Sequence, residues 1–194
     1  NMIKRIFDIF LSLVGLIFIL PFLILLILIS KLDTENSGIF SQERVGKDGK
    51  KFNLFKIRSM KIDEKINTVV TTKNDIRITK LGSILRKFKL DELPQLWNVL
   101  IGDMSFVGPR PEVDEYIRLV PKALQKKILS VRPGITGPAS IKYRNEENLL
   151  ELQKDPEKYN EEIIFPDKIK INLNYVENNN LISDIYYIYK TIIR

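Results

Sequence analysis

The segment KLDELPQLWNVLIGDMSFVGPRPE, residues 89–112, holds the side chains best suited to chemistry. Two adjacent carboxylic acids, Asp91 and Glu92, follow a run of cationic residues and precede a turn rich in glycine and proline. Acids inside a basic, stiff segment indicate a site that handles an anion and a metal ion together. The ordinary alternative is a surface helix that begins with acids, because a helix N-terminus favours negative charge. The neighbouring cations are Arg86, Lys87, Lys89 and Arg110.

The composition narrows the chemistry that this pair can perform. The chain has no His and no Cys, so the commonest general base, a thiol nucleophile and a thiolate zinc site are all excluded. A carboxylate can instead attack phosphorus and form an acyl phosphate. Mg²⁺ suits such a site because it prefers oxygen ligands and keeps substrate phosphates in its coordination shell. On a helix, Asp91 and Glu92 point about 100° apart, so one can attack while the other handles a proton or a water.

Candidate substrate-binding residues lie around the acidic pair. Arginine holds phosphate oxygens in a bidentate fork that lysine cannot reproduce, and Arg110 is fixed between two prolines. Gly108 and Pro109, directly before it, permit a close approach of the backbone to a ligand. A solvated surface cation is the plain alternative for each basic residue. Further candidates for contacts with a nucleotide are Lys56, Arg58 and Arg132.

The sequence pattern predicts an α+β fold that is mainly helical with one small antiparallel β-hairpin. The hairpin signal is Asp48-Gly49, which lies between two strand-like runs, 40–45 and 52–58. A polar loop is predicted over 68–75. Apolar spacing and proline positions predict helices over 78–88, 90–100, 112–129 with an interruption at Pro121, 146–153, 166–177 and 181–194. The last of these is amphipathic, and two positions are open to it: along a membrane interface or docked on the core.

The N-terminal segment 6–29 is almost entirely apolar and is longer than the about 20 residues that a straight helix needs to cross a bilayer. Pro21 lies within it. A proline there removes one backbone donor and collides with the carbonyl of Ile17, so a kink or a break is expected. Basic residues at both ends suit a helix that enters the membrane and returns, whereas an ordinary kinked transmembrane helix is the alternative. These flanking residues are Lys4, Arg5 and Lys31.

The stretch LDELPQLWNVLIGDMSFVGPRPE resembles the signature of the bacterial sugar transferases of the monotopic phosphoglycosyl transferase type. The stretches QERVGKDGKKFNLFKIRSM, NDIRITKLGSILRKFKLDE and VRPGITGPASIKYRNEE extend the resemblance over roughly residues 40–147. These enzymes move a phosphosugar from a nucleotide diphosphate sugar to a polyprenol phosphate. The resemblance therefore implies a UDP-sugar, polyprenol phosphate and membrane lipid as partners, and UMP as a product.

The resemblance also assigns roles and an architecture. Asp91 matches the nucleophile, which would form an aspartyl-phosphosugar intermediate and contact Mg²⁺, and Glu92 matches its partner acid. Arg86 and Arg110 match phosphate-binding arginines. Residues 1–32 would form a re-entrant helix-break-helix, and residues 33–194 a catalytic domain at the cytoplasmic face of the bacterial inner membrane. The block PASIKY, residues 138–143, departs from the usual family sequence and bears on the choice of sugar.

The net charge of +7, from 31 basic and 24 acidic residues, favours an anionic partner such as nucleic acid, a phosphorylated ligand or an acidic lipid surface. The leading expectation is an enzyme. A non-catalytic, membrane-surface binding module of the same fold is the alternative, and the intact Asp91-Glu92 pair argues against it. A nucleic-acid binder is a third possibility. The chain lacks a basic motif interleaved with aromatic residues, so no nucleic-acid partner is expected.

Overall fold

The computed structural model describes residues 2–63 and 70–193, so the first two residues of the loop predicted over 68–75 lie outside the described residues. The fold is mainly helical with a small antiparallel hairpin, as predicted. The strands are β1 (Ile39–Val45), β2 (Lys51–Ile57), β3 (Ser105–Val107) and β4 (Gly134–Thr136). The helices are α1 (Met2–Thr34), α2 (Lys80–Lys87), α3 (Gln95–Ile101), α4 (Asp114–Leu119), α5 (Lys122–Ile128), α6 (Pro138–Lys142), α7 (Glu146–Glu151), α8 (Pro156–Tyr159), α9 (Phe165–Asn178) and α10 (Leu181–Ile192). Short 3₁₀ turns cover Lys47–Gly49 and Leu90–Glu92, and a π-helical turn covers Asn160–Ile164.

The predicted hairpin is confirmed. β1 and β2 pair antiparallel along their whole length, and the turn between them places Asp48 at φ 57° and Gly49 at φ 76°. Two consecutive residues with positive φ match the twist of a two-stranded ribbon, which explains why Asp-Gly is such a strong hairpin signal. The hairpin positions Lys56, near the end of β2, for the site described below.

A second, parallel strand pair was not predicted. Ser105 in β3 lies opposite Gly134 in β4, and Val107 lies opposite Thr136. Each strand has only three residues, too few for an alternating pattern to be recognised. The pair joins the segment that carries Arg110 to the chain around Gly134.

The helix predicted over 90–100 is wrong in its first half. Leu90–Glu92 forms a separate 3₁₀ turn, and α3 begins only at Gln95, with Pro94 as its N-cap. The buried face of α3 is also more polar than the apolar spacing indicated. Gln95 and Asn98 are buried, whereas Trp97 is 51% exposed. The interruption predicted at Pro121 is confirmed, since α4 ends before that residue and α5 begins after it.

The N-terminal helix α1 continues through Pro21 without interruption, so the predicted break is not confirmed. It is apolar enough and long enough to cross a membrane, and an 18-residue stretch within it has a mean hydropathy of 3.1. One stripe of α1 is nevertheless buried against the rest of the protein. Leu23 and Leu26 in that stripe pack against Ile57 and Leu85. The buried positions recur at helical spacing: Asp8, Ser12, Leu23, Leu26, Ser30 and Thr34.

Polar contacts fix both ends of α1 to the same domain. Near the start, Arg5 donates to the carbonyls of Val99 (2.6 Å) and Leu100 (2.8 Å), at the C-terminal end of α3. Near the end, the Ser30 hydroxyl donates to the carbonyl of Arg58 at 2.5 Å. Protein carbonyls therefore bind the guanidinium of Arg5, one of the basic residues that flank the apolar segment.

The other N-terminal cation is also bound within the protein. Lys4 forms an ion pair with Asp184 in α10 and donates to the carbonyl of Val107 at 2.8 Å. The Tyr175 hydroxyl donates to Asp184 at 2.6 Å. This network connects the start of α1 to β3 and to the last helix.

The last helix, α10, is docked on the core, which is one of the two positions that the sequence left open. One side docks on the core through the buried Asp184 and through Thr191, whose hydroxyl lies 2.6 Å from that of Thr136. Arg144 donates to the carbonyl of Lys190 at 2.6 Å. The outer side exposes the apolar and aromatic residues Ile182, Ile185, Tyr186 and Tyr189.

Candidate active site

The acidic pair lies on the short 3₁₀ turn between α2 and α3. Asp91 is 5% exposed and Glu92 is 8% exposed. Lys89, immediately before the turn, has the left-handed conformation, with φ 58°. A lysine in this region is strained, and such strain concentrates at functional sites. The sharp change of direction at Lys89 separates the turn from α2 and points both carboxylates into the protein.

Glu92 is held between two cations from distant parts of the chain. Its Oε1 lies 2.8 Å from Nη2 of Arg110 and 3.4 Å from Nζ of Lys56. Burial alone would raise the pKa of Glu92, but Arg110 and Lys56 outweigh it and hold the pKa well below its usual range. Glu92 is therefore ionised throughout the physiological range, and it ties β2 to the segment after β3.

Asp91 has a contrasting environment. Its Oδ1 is buried and has no hydrogen-bond partner within the described residues. Burial raises the pKa of Asp91, while Lys56 opposes the rise and the neighbouring Glu92 adds to it. The two carboxylates thus have pKa values shifted in opposite directions, which is the usual sign of different chemical roles. Oδ1 of Asp91 is unpaired, whereas Oε1 of Glu92 is bound by both cations.

Arg86 approaches the site from α2 but is occupied by another partner. Its guanidinium forms an ion pair with Glu147, in α7, and its Nε is buried without a partner among the described residues. The positive charge of Arg86 is still close enough to lower the pKa of Asp91, against the larger effect of burial. The arginine therefore has donor capacity left for an anion next to Asp91.

Gly108 and Pro109 contact the backbone of the neighbouring strand, and the ligand contact expected of them stays a prediction. The Gly108 amide donates to the carbonyl of Thr136 at 3.0 Å, and the Pro109 carbonyl accepts from the amide of Gly134 at 2.8 Å. A Cβ on Gly108 would lie 2.4 Å from the carbonyl oxygen of Arg132. The close backbone approach that glycine allows is thus made to the neighbouring strand. It fixes the start of the segment that carries Arg110.

Arg58 and Arg132 are engaged outside the Asp91–Glu92 cluster. Arg58 donates to the carbonyl of Ser37 at 2.7 Å and stacks over Phe40 at 5.6 Å. Arg132 donates to the carbonyl of Gly102, at the end of α3, also at 2.7 Å. Each of these hydrogen bonds uses only Nε of its guanidinium, so the nucleotide contacts predicted for the two residues stay predictions.

The sequence profile named bacterial sugar transferase matches residues 1–194. The chain belongs to the bacterial sugar transferase family. The match includes the turn that carries Asp91 and Glu92, together with Lys56 and Arg110, which the fold brings to it.

Individual relatives cover most of this sugar transferase chain. The exopolysaccharide production protein PSS of Rhizobium leguminosarum is 38% identical over 200 residues, 98% of this chain and 94% of that protein. The UDP-glucose:undecaprenyl-phosphate glucose-1-phosphate transferase of Klebsiella pneumoniae is 38% identical over 199 residues, 100% of this chain and 40% of that protein. The UDP-N-acetylgalactosamine-undecaprenyl-phosphate N-acetylgalactosaminephosphotransferase of Aeromonas hydrophila is 33% identical over 195 residues, 98% of this chain and 43% of that protein. This chain therefore spans less than half the length of the last two relatives.

Sequence reasoning missed several residues that shape the sugar transferase site. Asn98 is fully buried, and its side chain accepts from the Phe55 amide (3.2 Å) and donates to the Asn53 carbonyl (2.7 Å), so it docks β2 on α3. Arg44 is close enough to Arg110 for the two charges to interact, and burial, followed by this interaction, lowers the pKa of Arg44. The amide of Asn98 amid apolar residues was a usable signal. Arg44, and Glu147, which pairs with Arg86, had no such signal in the sequence. The type of a charged residue does not identify its partner.

The side chains around Asp91 fit a metal ion only in part. Among residues 2–63 and 70–193, no three His, Cys, Asp or Glu side chains form a group able to hold a metal. Mg²⁺ is commonly bound by only one or two carboxylates, with waters and substrate phosphates completing its shell. The unpaired Oδ1 of Asp91 fits that pattern. The sugar transferase site therefore suits a metal that arrives with a diphosphate.

Proposed function

We propose that the protein is a membrane-bound phosphoglycosyl transferase that moves a phosphosugar from a UDP-sugar to polyprenol phosphate. The observation that carries the proposal is the buried Asp91 with an unpaired carboxylate oxygen, close to Lys56 and Arg86, in a chain of the sugar transferase family. The names of the Klebsiella and Aeromonas relatives contain two different UDP-sugars. The proposal therefore specifies the class of donor and leaves the sugar open.

The reaction proceeds in two displacements at one phosphorus. In the first, an oxygen of Asp91 bonds to the phosphorus next to the sugar, the bond from that phosphorus to the bridging oxygen breaks, and UMP leaves with the bonding electron pair. In the second, a phosphate oxygen of polyprenol phosphate bonds to the same phosphorus and the bond to Asp91 breaks. The products are UMP and a polyprenyl diphosphate sugar, and Asp91 returns to its carboxylate form.

Lys56, Arg86 and Arg110 provide the positive charge that this chemistry needs. A diphosphate and a carboxylate repel each other, so cations are required before attack is possible. Glu92, already ionised between Lys56 and Arg110, holds both cations at fixed positions. Its lowered pKa makes it a weak base, so we assign Glu92 to positioning rather than to proton transfer.

Mg²⁺ belongs to the proposal as a metal delivered with the donor. Asp91 would be its protein ligand, and the diphosphate oxygens would supply other ligands. When bound, the ion would neutralise charge on the diphosphate and stabilise the departing UMP. Within the described residues no three metal-binding side chains lie together, and the neighbouring Glu92 is paired with Lys56 and Arg110, which supports a metal held mainly by the substrate.

Topology is the second part of the proposal: both ends of α1 lie on the side of the catalytic domain, at the cytoplasmic face of the bacterial inner membrane. Lys4 and Ser30 both contact this domain, and they lie about 39 Å apart along α1 at about 1.5 Å per residue. A helix perpendicular to the bilayer would separate these positions by the whole hydrocarbon core, about 30 Å. The packing of α1 along one domain therefore supports a monotopic arrangement, with or without a break at Pro21.

The outer surface of α1 supports the same arrangement. Large apolar residues are exposed along the helix on the side away from the buried stripe, including Phe10, Phe18, Leu25 and Leu28. Exposed apolar surface of this extent is stable only against lipid or another protein. A helix that presents one apolar side to lipid and docks the other on its own domain is anchored in the membrane interface.

The experiment that tests the proposal follows the covalent intermediate. Incubated with a panel of UDP-sugars without acceptor, the protein should release UMP and gain the mass of one phosphosugar. Asp91→Asn should abolish the adduct and lower turnover by about 10⁴-fold or more, as loss of a nucleophile does. Asp114→Asn makes the same chemical change on an exposed helix and should retain both activities. An Asp91→Asn protein with a tenth of the original turnover would refute the role of Asp91.

A further inference from the structure

An exposed apolar ridge on α2 has no role in the chemistry described above. Ile84 is 53% exposed and Phe88 is 56% exposed, four positions apart and about 40° apart around the helix. The two residues border the face of α2 that carries Leu85, which is 1% exposed. Arg86 borders the opposite side of that face. We call Ile84 and Phe88 the α2 ridge.

The α2 ridge ends at the turn that carries the nucleophile. Phe88 is the C-cap of α2, and its amide still donates to the carbonyl of Ile84 at 3.1 Å. Lys89 follows, and the Glu92 amide donates to its carbonyl at 3.3 Å, so the chain passes from the ridge to Asp91 in a single tight turn. An apolar surface that stops one turn from a buried nucleophile is positioned to guide a ligand to it.

The buried face of α2, next to the ridge, meets the membrane helix. Leu81 and Leu85 of α2 belong to the same apolar cluster as Leu23 and Leu26 of α1. On α1, neighbouring residues on the outer side, such as Phe22, are exposed. The α2 ridge therefore lies on a helix that packs against α1 on one face and ends at the turn that carries Asp91.

The charges around the ridge suit an anionic head group. The Lys87 ammonium lies 5.6 Å from the centre of the Phe88 ring. Lys89 is exposed and is close enough to Asp91 and Glu92 to lower the pKa of each, after the larger effects of burial and nearer cations. A ligand with an apolar tail and a phosphate head would bury its tail on the ridge and meet positive charge where the ridge ends.

We propose that the α2 ridge is the binding surface for the first isoprene units of the polyprenol phosphate acceptor, and that Lys89 receives its phosphate. This inference rests on the proposed function and assigns the acceptor a place on the chain. The tail of the acceptor lies in the membrane while its phosphate must reach the phosphosugar on Asp91. A path with apolar walls and a basic end meets both requirements, and the ridge is positioned between the membrane helix and the nucleophile.

The test separates the two displacements. Exchange of labelled UMP into UDP-sugar requires only the donor and Asp91, whereas transfer to a water-soluble phosphate of two or three isoprene units requires the acceptor surface. The variant Ile84→Ser/Phe88→Ser should retain exchange within about twofold. Its KM for the short acceptor should rise at least tenfold, because each side chain buries apolar surface worth more than a tenfold change in affinity.

A matched variant controls for the loss of exposed apolar surface in general. Trp97→Ser/Ile101→Ser removes two residues of α3 that are each 51% exposed, and its KM for the short acceptor should be unchanged. Both double variants should sediment with lipid vesicles as the original protein does. Loss of UMP exchange in the Ile84/Phe88 variant, an unchanged KM for the short acceptor, or an equal rise in KM in both variants would each overturn the inference. Absence of UMP exchange in the unaltered protein would instead refute the proposed function.

Discussion

Arg110 and Glu92 face each other at 2.8 Å in a largely buried site, with Lys56 on the other side of the same carboxylate oxygen at 3.4 Å. The three residues come from the segment after β3, from the turn before α3 and from β2. One carboxylate thus joins three parts of the chain. It also holds two positive charges next to Asp91, which has an unpaired oxygen.

Replacing Glu92 by Gln should therefore destabilise the protein as well as reduce activity. Removal of one partner from a buried ion pair leaves the other charge unpaired and costs roughly 3 kcal/mol. The free energy of unfolding in detergent, measured with a denaturant, checks this value. Glu43→Gln is the matched control, since the Glu43–Lys51 pair is exposed and such pairs contribute less than about 1 kcal/mol. Equal losses in the two variants would contradict the structural role of Glu92.

The raised pKa of Asp91 predicts how activity depends on pH. Attack needs the carboxylate, so kcat/KM should fall as the pH drops through the pKa of Asp91, and this fall should lie at a higher pH than for an ordinary aspartate. Burial causes the rise and Lys56 opposes it. Lys56→Met should therefore move the acidic limb of the profile to still higher pH.

A surface lysine provides the control for that shift. Lys50→Met, in the exposed hairpin turn, should leave the acidic limb in place. The profile of kcat/KM against pH reports the free enzyme, in which these pKa shifts apply. A limb that moves towards lower pH in Lys56→Met would show that Lys56 does not stabilise the Asp91 carboxylate.

The sequence predicted features that depend on local backbone chemistry. Asp48-Gly49 specified the hairpin because both residues readily accept positive φ, and Pro121 separated α4 from α5 because it cannot continue a helix. The acidic pair was recognised for a similar reason, since Asp91 and Glu92 are adjacent. The β3–β4 pairing joins Ser105 to Gly134, which are far apart in the sequence, and no local pattern predicts it.

The partners of the cations could not be predicted from the sequence. Of the basic residues proposed to bind substrate, the fold brings Lys56 and Arg110 to Glu92 and gives Arg58 and Arg132 to backbone carbonyls. Arginine can bind a backbone carbonyl or a phosphate equally well, because both offer oxygen acceptors. Only the path of the backbone decides which acceptor a given arginine meets.

Metal dependence is predicted to require the nucleotide. EDTA should abolish transfer and Mg²⁺ should restore it. Calorimetry should detect Mg²⁺ binding when UDP is present and none at millimolar concentration without it, because the described residues offer no group of three metal-binding side chains. Tight binding of Mg²⁺ to the nucleotide-free protein would contradict a substrate-held metal. Full activity after exhaustive chelation would show that Lys56, Arg86 and Arg110 suffice.

The position of the N-terminus gives the last prediction. Since the chain has no cysteine, Ile3→Cys introduces a single reporter next to Lys4. We expect an impermeant thiol reagent added outside intact cells to leave it unlabelled, and permeabilisation to expose it. Sequence alone suggests that Pro21→Leu would straighten α1 and allow it to span the membrane. The structure gives a different expectation, because α1 is already continuous through Pro21.

Contacts at both ends hold α1 along the catalytic domain: Lys4 and Arg5 at its start and Ser30 near its end. Pro21→Leu should therefore leave the reporter at position 3 protected. An impermeant reagent that labels it in the parent protein would exclude the monotopic arrangement. Labelling only after Pro21→Leu would show that the proline, rather than packing on the domain, keeps the two ends of α1 on one side.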